Sequence, residues 1–145
     1  MPNIIWDLTY IARCGALCRS QHLEPLGLNN QQAGCLIFIC RSPGITQDGL
    51  ARRVALSKSN ISRHLAFLEE RGFVTRVTPP TNKRVLQLHP TEKALTLLPQ
   101  IREVYQSWRT HLLQDLSEEE QALLSQLLQK VKDRSAEKFE EERNA

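Results

Sequence analysis

The sequence predicts a mainly α-helical fold with one small β-hairpin. Apolar residues recur at intervals of three and four through most of the 145 residues, as at Ile61, Leu65 and Leu68, and this spacing is typical of amphipathic helices. One stretch, residues 73–88, has instead the β-branched and aromatic content of two strands, separated by two prolines. Hydrophobic residues make up 41% of the chain, which is enough for a single domain, residues 1–145, with its own core.

The first two helices are defined by the residues that end them. The first is predicted from Ile4 to Leu23 and is stopped by the proline and glycine of segment 25–27. The second is predicted to begin at Leu28-Asn29-Asn30, with an asparagine as its cap, and to end at segment 42–44, which is Ser-Pro-Gly. Its almost continuous apolar centre predicts burial on several sides.

Two short helices joined by a tight turn are predicted next. Thr46 and Ser57 are suitable N-caps, because a hydroxyl oxygen can accept a hydrogen bond from a free backbone N–H. Each helix has one apolar face, formed by Leu50, Ala51 and Val54 in the first and by Ile61, Leu65 and Leu68 in the second. Two helices with a turn of three or four residues form a helix-turn-helix. Ile45, just before them, is expected to add a short strand beside the hairpin.

Polar residues crowd the first turns of the second of these helices, opposite its apolar face. They are Lys58, Ser59, Asn60, Ser62 and Arg63. In a helix-turn-helix these turns enter the major groove, where Asn can pair with adenine, Arg with guanine and Ser with several base edges. The alternative interpretation is an ordinary solvated helix face.

The hairpin follows directly. Gly72 is placed to end the helix, residues 73–77 form the first strand, and residues 85–88 form the second. Pro79 and Pro80 cannot continue a ladder, so a stiff loop begins there, with residues 81–84 as its tip or its return. Such a loop can place Lys83 and Arg84 against phosphate or in a narrow minor groove. The stretch is therefore interpreted as a winged helix-turn-helix.

The charge distribution supports this interpretation. Residues 46–84 contain eight Lys or Arg against three acidic residues, a balance of +5, whereas the rest of the chain has 11 basic and 13 acidic residues. A basic centre between acidic flanks is typical of a surface that binds nucleic acid.

The terminal helices carry more apolar surface than one small domain needs. Thr91 is predicted to cap a long helix in which Pro99 predicts a kink or a late start, and Ser117 opens a final helix with a capping box. The apolar stripe of the last helix is Leu123, Leu124, Leu127, Leu128 and Val131. This surplus predicts a partner, and a two-fold homodimer is the commonest arrangement.

The run from Gly44 to Ala94 resembles the MarR family of bacterial transcription regulators. The resemblance rests on the helix-turn-helix, on Leu68-Glu69-Glu70-Arg71-Gly72-Phe73-Val74, on the wing and on Thr91-Glu92-Lys93-Ala94. The number and order of the surrounding helices match as well. The wing of the family usually carries Asp-x-Arg, in which the Asp braces the Arg. Here Asn82-Lys83-Arg84 implies a neutral hydrogen bond in its place, and His89-Pro90 is an irregular approach to the Thr91 cap.

The resemblance implies a division of labour along the chain. Residues 29–90, called the winged lobe below, bind double-stranded DNA, and residues 1–28 and 91–145 form a helical dimerisation region that holds two lobes against a pseudo-palindromic operator. The predicted DNA contacts are Thr46, Gln47, Ser57, Lys58, Ser59, Asn60, Ser62, Arg63, Arg76, Asn82, Lys83 and Arg84. The expected function is that of a repressor.

The resemblance also implies a small effector, often a lipophilic or aromatic anion, bound where the dimer helices join the winged lobe. Trp6, Tyr10 and Arg13 could supply stacking and charge, although aromatic residues there also suit a dimer core. A thiol- or metal-responsive regulator is the alternative, because Cys14, Cys18 and His22 form an i, i+4, i+8 ladder on the first helix, and the second helix holds Cys35 and Cys40.

Packing in apolar helices explains these cysteines more simply, and no CxxC is present. The hydroperoxide-sensing branch has its reactive cysteine at a position that aligns near Ile5, and the zinc-sensing branch has a histidine pair where this chain has only His111. Neither branch matches, so no cofactor and no metal site are predicted.

Other classes of function lack support in the sequence. A Gly-rich phosphate loop, Gly-x-Ser-x-Gly and His-Glu-x-x-His are all absent, so no enzyme is predicted. A winged-helix protein-interaction module without DNA binding is a further alternative, because a fold does not determine a function. Without a signal-peptide pattern or an apolar run of membrane length, the expected location is the cytoplasm, without membrane attachment.

Overall fold

A computed structural model of the protein describes residues 2–144. Within them, the chain forms six α-helices and one small sheet. The helices are α1 Ile4–Leu23, α2 Asn30–Arg41, α3 Gln47–Val54, α4 Lys58–Glu70, α5 Glu92–Leu112 and α6 Glu118–Arg143, and a short 3₁₀ segment, Glu24–Leu26, follows α1. The strands are β1 Ile45–Thr46, β2 Val74–Val77 and β3 Gln87–Pro90. The mainly α-helical class and the predicted short strand at Ile45 are both confirmed.

Local side-chain chemistry begins the helices where the sequence predicts. Thr46, Ser57 and Thr91 each accept a hydrogen bond from a backbone N–H three residues later, at 3.0, 3.2 and 3.3 Å. Asn29 and Ser117 form full capping boxes at the starts of α2 and α6. Each cap satisfies a donor that the first helical turn leaves free, so these helix starts are determined by residues close in sequence.

The turn between α3 and α4 brings the two helices close together. Ala55 caps α3 in the left-handed conformation, with φ 53°, which a residue with a Cβ atom adopts at some cost in energy. The N–H of Leu56 then donates to Ala51 O at 3.0 Å. Gly72 has φ +77° just after the C-cap of α4, as predicted, and turns the chain toward β2.

The three strands form one antiparallel sheet in the order β1-β3-β2. The predicted second strand of the hairpin, residues 85–88, is wrong by two residues, because Val77 pairs with Gln87 and Val74 with Pro90. Leu88 pairs with Ile45. The backbone polar groups of Pro90 face the same side of β3 as those of Leu88, which is the side of β1. Because β1 ends before it reaches Pro90, the missing N–H of Pro90 removes no hydrogen bond between β1 and β3.

The core lies in the winged lobe and against the first half of α5. Its fully buried members include Leu23 of α1 and Ile101 of α5, and from the lobe Leu36, Ile39, Leu50, Ile61, Leu65, Leu68 and Leu88. The nearly continuous apolar run of α2 is buried on several sides, as predicted. The helix α4 is therefore held in place by residues of α2, α3 and β2.

The helix α5 connects the winged lobe to the rest of the chain. It begins at Glu92, so the alternative of a late start after Pro99 is wrong, and Pro99 lies inside the helix. Trp108 of α5 packs closely on α1 at Gly15, where an added Cβ would lie 2.9 Å from the indole Nε1. A glycine at this position allows the two helices to approach each other.

The last helix makes little use of the chain's own core. No residue of α6 is buried, although the helix has 26 residues and its stripe of Leu123, Leu127, Leu128 and Val131 is 43–55% exposed. Its C-terminal end reaches α3. There Arg143 donates a hydrogen bond to the Asp48 carboxylate, and Glu140 Oε1 lies 3.1 Å from NH2 of Arg52. Among residues 2–144, no helix has both the length and the apolar character needed to cross a membrane.

Candidate nucleic-acid interface

The first turn of α4 forms a positive, polar end at the surface of the lobe. Ser57, Lys58, Ser59, Ser62 and Arg63 are exposed there, and Asn60 is half-buried. This turn contains no acidic residue, whereas the first turns of α5 and α6 contain Glu92 and Glu118, Glu119 and Glu120. The positive end of the α4 dipole is thus left for an external anion.

The opposite face of α4 is buried and fixes the direction of the polar face. Ile61, Leu65 and Leu68 are at most 1% exposed. His64 is also buried, and its Nε2 lies 2.6 Å from Gln31 Oε1 on α2. Because His64 is tied to α2, rotation of α4 about its own axis would break a partly buried hydrogen bond as well as apolar packing.

A chain of hydrogen bonds joins α3, α4 and β2 beside this polar face. Arg76 of β2 forms an ion pair with Glu69 near the end of α4, and its NH1 donates to Gln47 Oε1 at 3.2 Å. Gln47 Nε2 in turn donates to Ser62 Oγ at 2.8 Å. The start of α3, the polar face of α4 and the base of the hairpin are therefore connected through side chains.

The wing loop, residues 78–86, is organised by its own backbone turns. Asn82 N donates to Pro79 O at 3.2 Å, and Val85 N donates to Asn82 O at 3.3 Å. The Asn82 side chain accepts from Arg84 N at 3.1 Å, so the implied neutral brace is present and acts on the backbone of Arg84. Lys83 and Arg84 are exposed at the tip.

The eight cations of residues 46–84 divide into two groups. Four are engaged inside the protein: Arg52 with Asp48 and Glu140, Arg76 with Glu69, Arg53 over the Phe38 ring, and Arg71 over the Phe67 ring. The other four are Lys58, Arg63, Lys83 and Arg84. Among residues 2–144, no carboxylate lies within 4.0 Å of these four. They can bind phosphate without first losing an ion pair.

The structure brings the predicted DNA contacts together on α3, α4 and the wing of one lobe. Thr46 and Ser57 use their oxygens as caps, Arg63 donates to Asn60 Oδ1, and Arg76 is engaged with Glu69 and Gln47. Sequence reasoning missed the supporting residues. The only signal for His64 in the sequence is its position on the apolar face of α4. The only signal for Glu69 is its position eight residues before the end of β2.

The predicted effector residues lie elsewhere. Trp6, Tyr10 and Arg13 are exposed on α1, with the Arg13 guanidinium 5.8 Å from the Trp6 ring centre. A cavity of about 760 Å³ lies instead between α2 and α5, and it is lined by Gly34, Ile37, Phe38, Arg41, Pro99, Arg102, Glu103, Tyr105, Gln106 and Arg109. A second cavity of about 420 Å³ lies between α1 and α5. None of the three predicted effector residues lines either cavity.

The four cysteines are all free and differ in environment. Burial raises the pKa of Cys35 to about 12 and also raises the pKa of Cys40, so both thiols stay protonated at neutral pH and are poor nucleophiles. Cys18 is exposed and lines the smaller cavity. Within residues 2–144, no three His, Cys, Asp or Glu side chains come together in a metal-binding arrangement.

A helix-turn-helix with a buried support and a cationic hairpin defines the class of winged-helix DNA-binding proteins. The family model of the MarR family matches residues 26–85. A crystal structure of MarR is 31% identical, with a TM-score of 0.82, and the match covers 97% of this chain and 95% of that one. The chain belongs to the MarR family.

Other relatives agree with this assignment. An uncharacterized HTH-type transcriptional regulator, YybA, of Bacillus subtilis (strain 168) is 28% identical over 132 residues, which cover 91% of this chain and 88% of that one. A protein of the same family from Listeria monocytogenes, whose crystal structure contains a 26mer DNA, is 29% identical, with a TM-score of 0.92 and coverage of 96% and 93%. The fold is shared along almost the whole chain.

The burial of His64 predicts a pH dependence of stability. Burial lowers the pKa of His64 below its ordinary value of 6.5, and the neighbouring Arg63 lowers it further. The unfolded chain therefore binds this proton first as the pH falls, and the free energy of unfolding should decrease below about pH 6.5. Urea unfolding between about pH 5 and pH 7.5 measures this. In His64→Gln, which can keep a bond to Gln31, the decrease should be smaller, and an equal decrease in both proteins would contradict the explanation.

Proposed function

We propose that the protein is a sequence-specific, DNA-binding transcription repressor. The polar face of α4 reads bases in the major groove, and the wing binds the DNA backbone or the minor groove. The observation that carries the proposal is the set of four exposed cations without carboxylate partners: Lys58 and Arg63 at the acid-free start of α4, and Lys83 and Arg84 at the tip of the wing. A protein that acts on genes in this way works in the cytoplasm.

The helix caps and the polar side chains beside them are proposed to contact the DNA. Thr46 and Ser57 are proposed to lie near phosphate, since each holds the positive end of a helix at the surface, and Lys58 and Ser59 lie beside them. Gln47, Asn60, Ser62 and Arg63 face the groove. Asn82, Lys83 and Arg84 meet the backbone from the wing.

The protein is proposed to act as a homodimer. Twelve large apolar side chains are 42–75% exposed on three helices: Ile4, Ile5, Trp6, Tyr10, Ile11 and Leu17 on α1, Leu95 and Leu112 on α5, and Leu123, Leu127, Leu128 and Val131 on α6. A second copy of the chain offers the same surfaces by two-fold symmetry. This divides the chain into the winged lobe, residues 29–90, and a dimerisation region, residues 1–28 and 91–145, and gives the operator its pseudo-palindromic form.

A small anionic effector is proposed to release the DNA by binding in the cavity between α2 and α5. Arg41, Arg102 and Arg109 line this cavity together with the single carboxylate of Glu103, and Phe38 and Tyr105 supply aromatic surface. The cavity lies where the winged lobe meets the dimerisation region. A ligand there releases DNA if it binds one spacing of the two lobes better than the other. Trp6, Tyr10 and Arg13 are then part of the dimer surface.

The wing proposal is tested by the double substitution Lys83→Ala and Arg84→Ala. A selection from random duplexes first identifies a preferred site for the parent protein. The salt dependence of binding to that site should then fall by about 0.9 in the slope of log K against log salt for each lost phosphate contact. The control is Lys130→Ala with Lys132→Ala, on the exposed side of α6. An unchanged slope in the wing variant would place the wing off the backbone.

The dimer proposal is tested by Leu123→Glu with Leu127→Glu. These charges lie in the exposed stripe of α6, so the variant should sediment as a monomer that keeps its helical circular dichroism. Its affinity for the two-half-site duplex should fall by about a hundredfold or more, since linkage between half-sites is lost. Ser125→Glu with Gln126→Glu adds the same charge outside the stripe and should remain dimeric. A monomeric parent protein would refute the proposal.

The effector proposal is tested with 2-naphthoate as an aromatic carboxylate and 2-naphthol as its uncharged counterpart. 2-Naphthoate should release the duplex from the parent protein at lower concentration than 2-naphthol does, because three arginines line the cavity. Arg102→Gln with Arg109→Gln should remove that difference, whereas Arg134→Gln on α6 should keep it. Equal release by both compounds from the parent protein would exclude an anion site in this cavity.

A further inference from the structure

Hydrogen bonds inside the lobe determine what the polar residues of α4 can still offer to DNA. Gln47 is the first such residue. An arginine can only donate hydrogen bonds, so the oxygen of the Gln47 amide must face Arg76, 3.2 Å away, and its NH₂ group must face Ser62. The orientation of this amide therefore follows from chemistry as well as from the coordinates.

Gln47 determines whether the Ser62 hydroxyl donates or accepts a hydrogen bond on its outer side, which is called the polarity of Ser62 below. Its oxygen accepts from Gln47 Nε2 at 2.8 Å, which occupies one of its two lone pairs and leaves the hydroxyl hydrogen without a partner in the protein. Ser62 is exposed on the polar face, and no group of residues 2–144 accepts a hydrogen bond from it. When the helix lies in a groove, the hydroxyl is thus directed at a hydrogen-bond acceptor on the DNA.

Asn60 is restricted in the same sense. Its side-chain oxygen accepts from Arg63, so one of the two lone pairs of that oxygen is already occupied, while the NH₂ group is free to donate to DNA. The contact with adenine that the sequence suggests needs both the oxygen and the NH₂ group of an asparagine. The intramolecular bond to Arg63 disfavours that two-bond contact. Arg63 itself has only donors.

Arg76 is placed to set this arrangement and not to contact DNA. Its Nε faces Glu69 and its NH1 faces Gln47, and its side chain is only 28% exposed. Glu69 holds the guanidinium from the C-terminal part of α4, so the position of Arg76 relative to α4 is fixed within the lobe. The predicted role of Arg76 as a DNA contact is replaced here by a positioning role.

We propose that α4 reads hydrogen-bond acceptors of the major groove, and that Glu69 and Arg76 are positioning residues that fix this polarity through Gln47. The inference rests on the proposed function, since it requires that Ser62 face bases. Guanine fits best because its N7 and O6 are two adjacent acceptors, and the N4 donor of cytosine fits worst. The half-site should therefore be rich in guanine at the pairs that depend on Asn60, Ser62 and Arg63.

The first experiment locates the base pair that Ser62 reads. Selections with the parent protein and with Ser62→Ala identify the pair at which preference is lost. The purine at that pair is then replaced by its 7-deaza analogue, which lacks the N7 acceptor. This replacement should lower the affinity of the parent protein by roughly fivefold, as expected for one hydrogen bond, and leave the affinity of Ser62→Ala unchanged. A selected cytosine facing Ser62, or equal effects on both proteins, would overturn the inference.

The second experiment reverses the polarity. In Gln47→Glu both carboxylate oxygens accept, so Ser62 must donate to the new carboxylate and can only accept from DNA. The ratio of affinities for two duplexes that differ at the Ser62-dependent pair should fall by roughly fivefold or reverse. The added negative charge lowers the affinity for both duplexes by the same factor, so its effect cancels in the ratio. Gln87→Glu, a carboxylate on β3 of the same lobe, should leave the ratio unchanged.

The third experiment separates positioning from phosphate binding. Arg76→Met should lower the same affinity ratio, while the slope of log K against log salt stays that of the parent protein. Arg76→Lys keeps a donor for Gln47 and a charge for Glu69, so it should restore the ratio. A slope reduced by about 0.9 in Arg76→Met, with an unchanged ratio, would show a phosphate contact and refute the positioning role.

Failure of the inference and failure of the proposed function give different results. A parent protein that enriches no duplex sequence contradicts both. A parent protein that enriches a site, with Ser62→Ala selecting the same site, keeps DNA binding and removes Ser62 as a reader of bases. If the selected site depends on Ser62 but the affinity ratio is unchanged in Gln47→Glu and Arg76→Met, Ser62 contacts a base and its polarity is not set by Gln47, Arg76 and Glu69.

Discussion

The burial of one face of α4 orients everything that the other face can do. Ile61, Leu65 and Leu68 are closed off by the core, and His64 is tied to Gln31 on α2. A helix fixed in this way presents its polar residues in one direction only. Without that support the same side chains would be a solvated helix surface, and neither the wing nor the order of residues in the first turn would produce a defined interface.

The second level of organisation is the separation of cations that hold the lobe together from cations that stay available. Arg52, Arg53, Arg71 and Arg76 are bound to carboxylates or aromatic rings of the lobe. The remaining four surround the acid-free start of α4 and the tip of the wing. A count of basic residues along the sequence treats both groups alike, although only the second is free for counterion release on phosphate.

The sequence predicts those features that are determined by near neighbours. The caps at Thr46, Ser57 and Thr91 and the turn at Gly72 each depend on residues within four positions, and all are confirmed. The second strand of the hairpin was misplaced by two residues, because its ends are set by pairing with β2, where Val74 lies opposite Pro90, 16 positions further along the chain. The engagement of Arg76 with Gln47, 29 positions apart, lay equally beyond local patterns.

Other contacts connect the lobe to the helices outside it. The lobe is joined covalently to α5 at Thr91, and the end of α6 holds α3 through Asp48 and Arg143, whose side chain is 6% exposed. The Arg143 bond lowers the pKa of Asp48, so this carboxylate stays ionised to a more acidic pH than an ordinary aspartate. Gln47 directly precedes Asp48 on α3. If the protein is the proposed dimer, a displacement of α6 relative to the lobe acts on α3, which carries Gln47, as well as on the spacing of the two lobes.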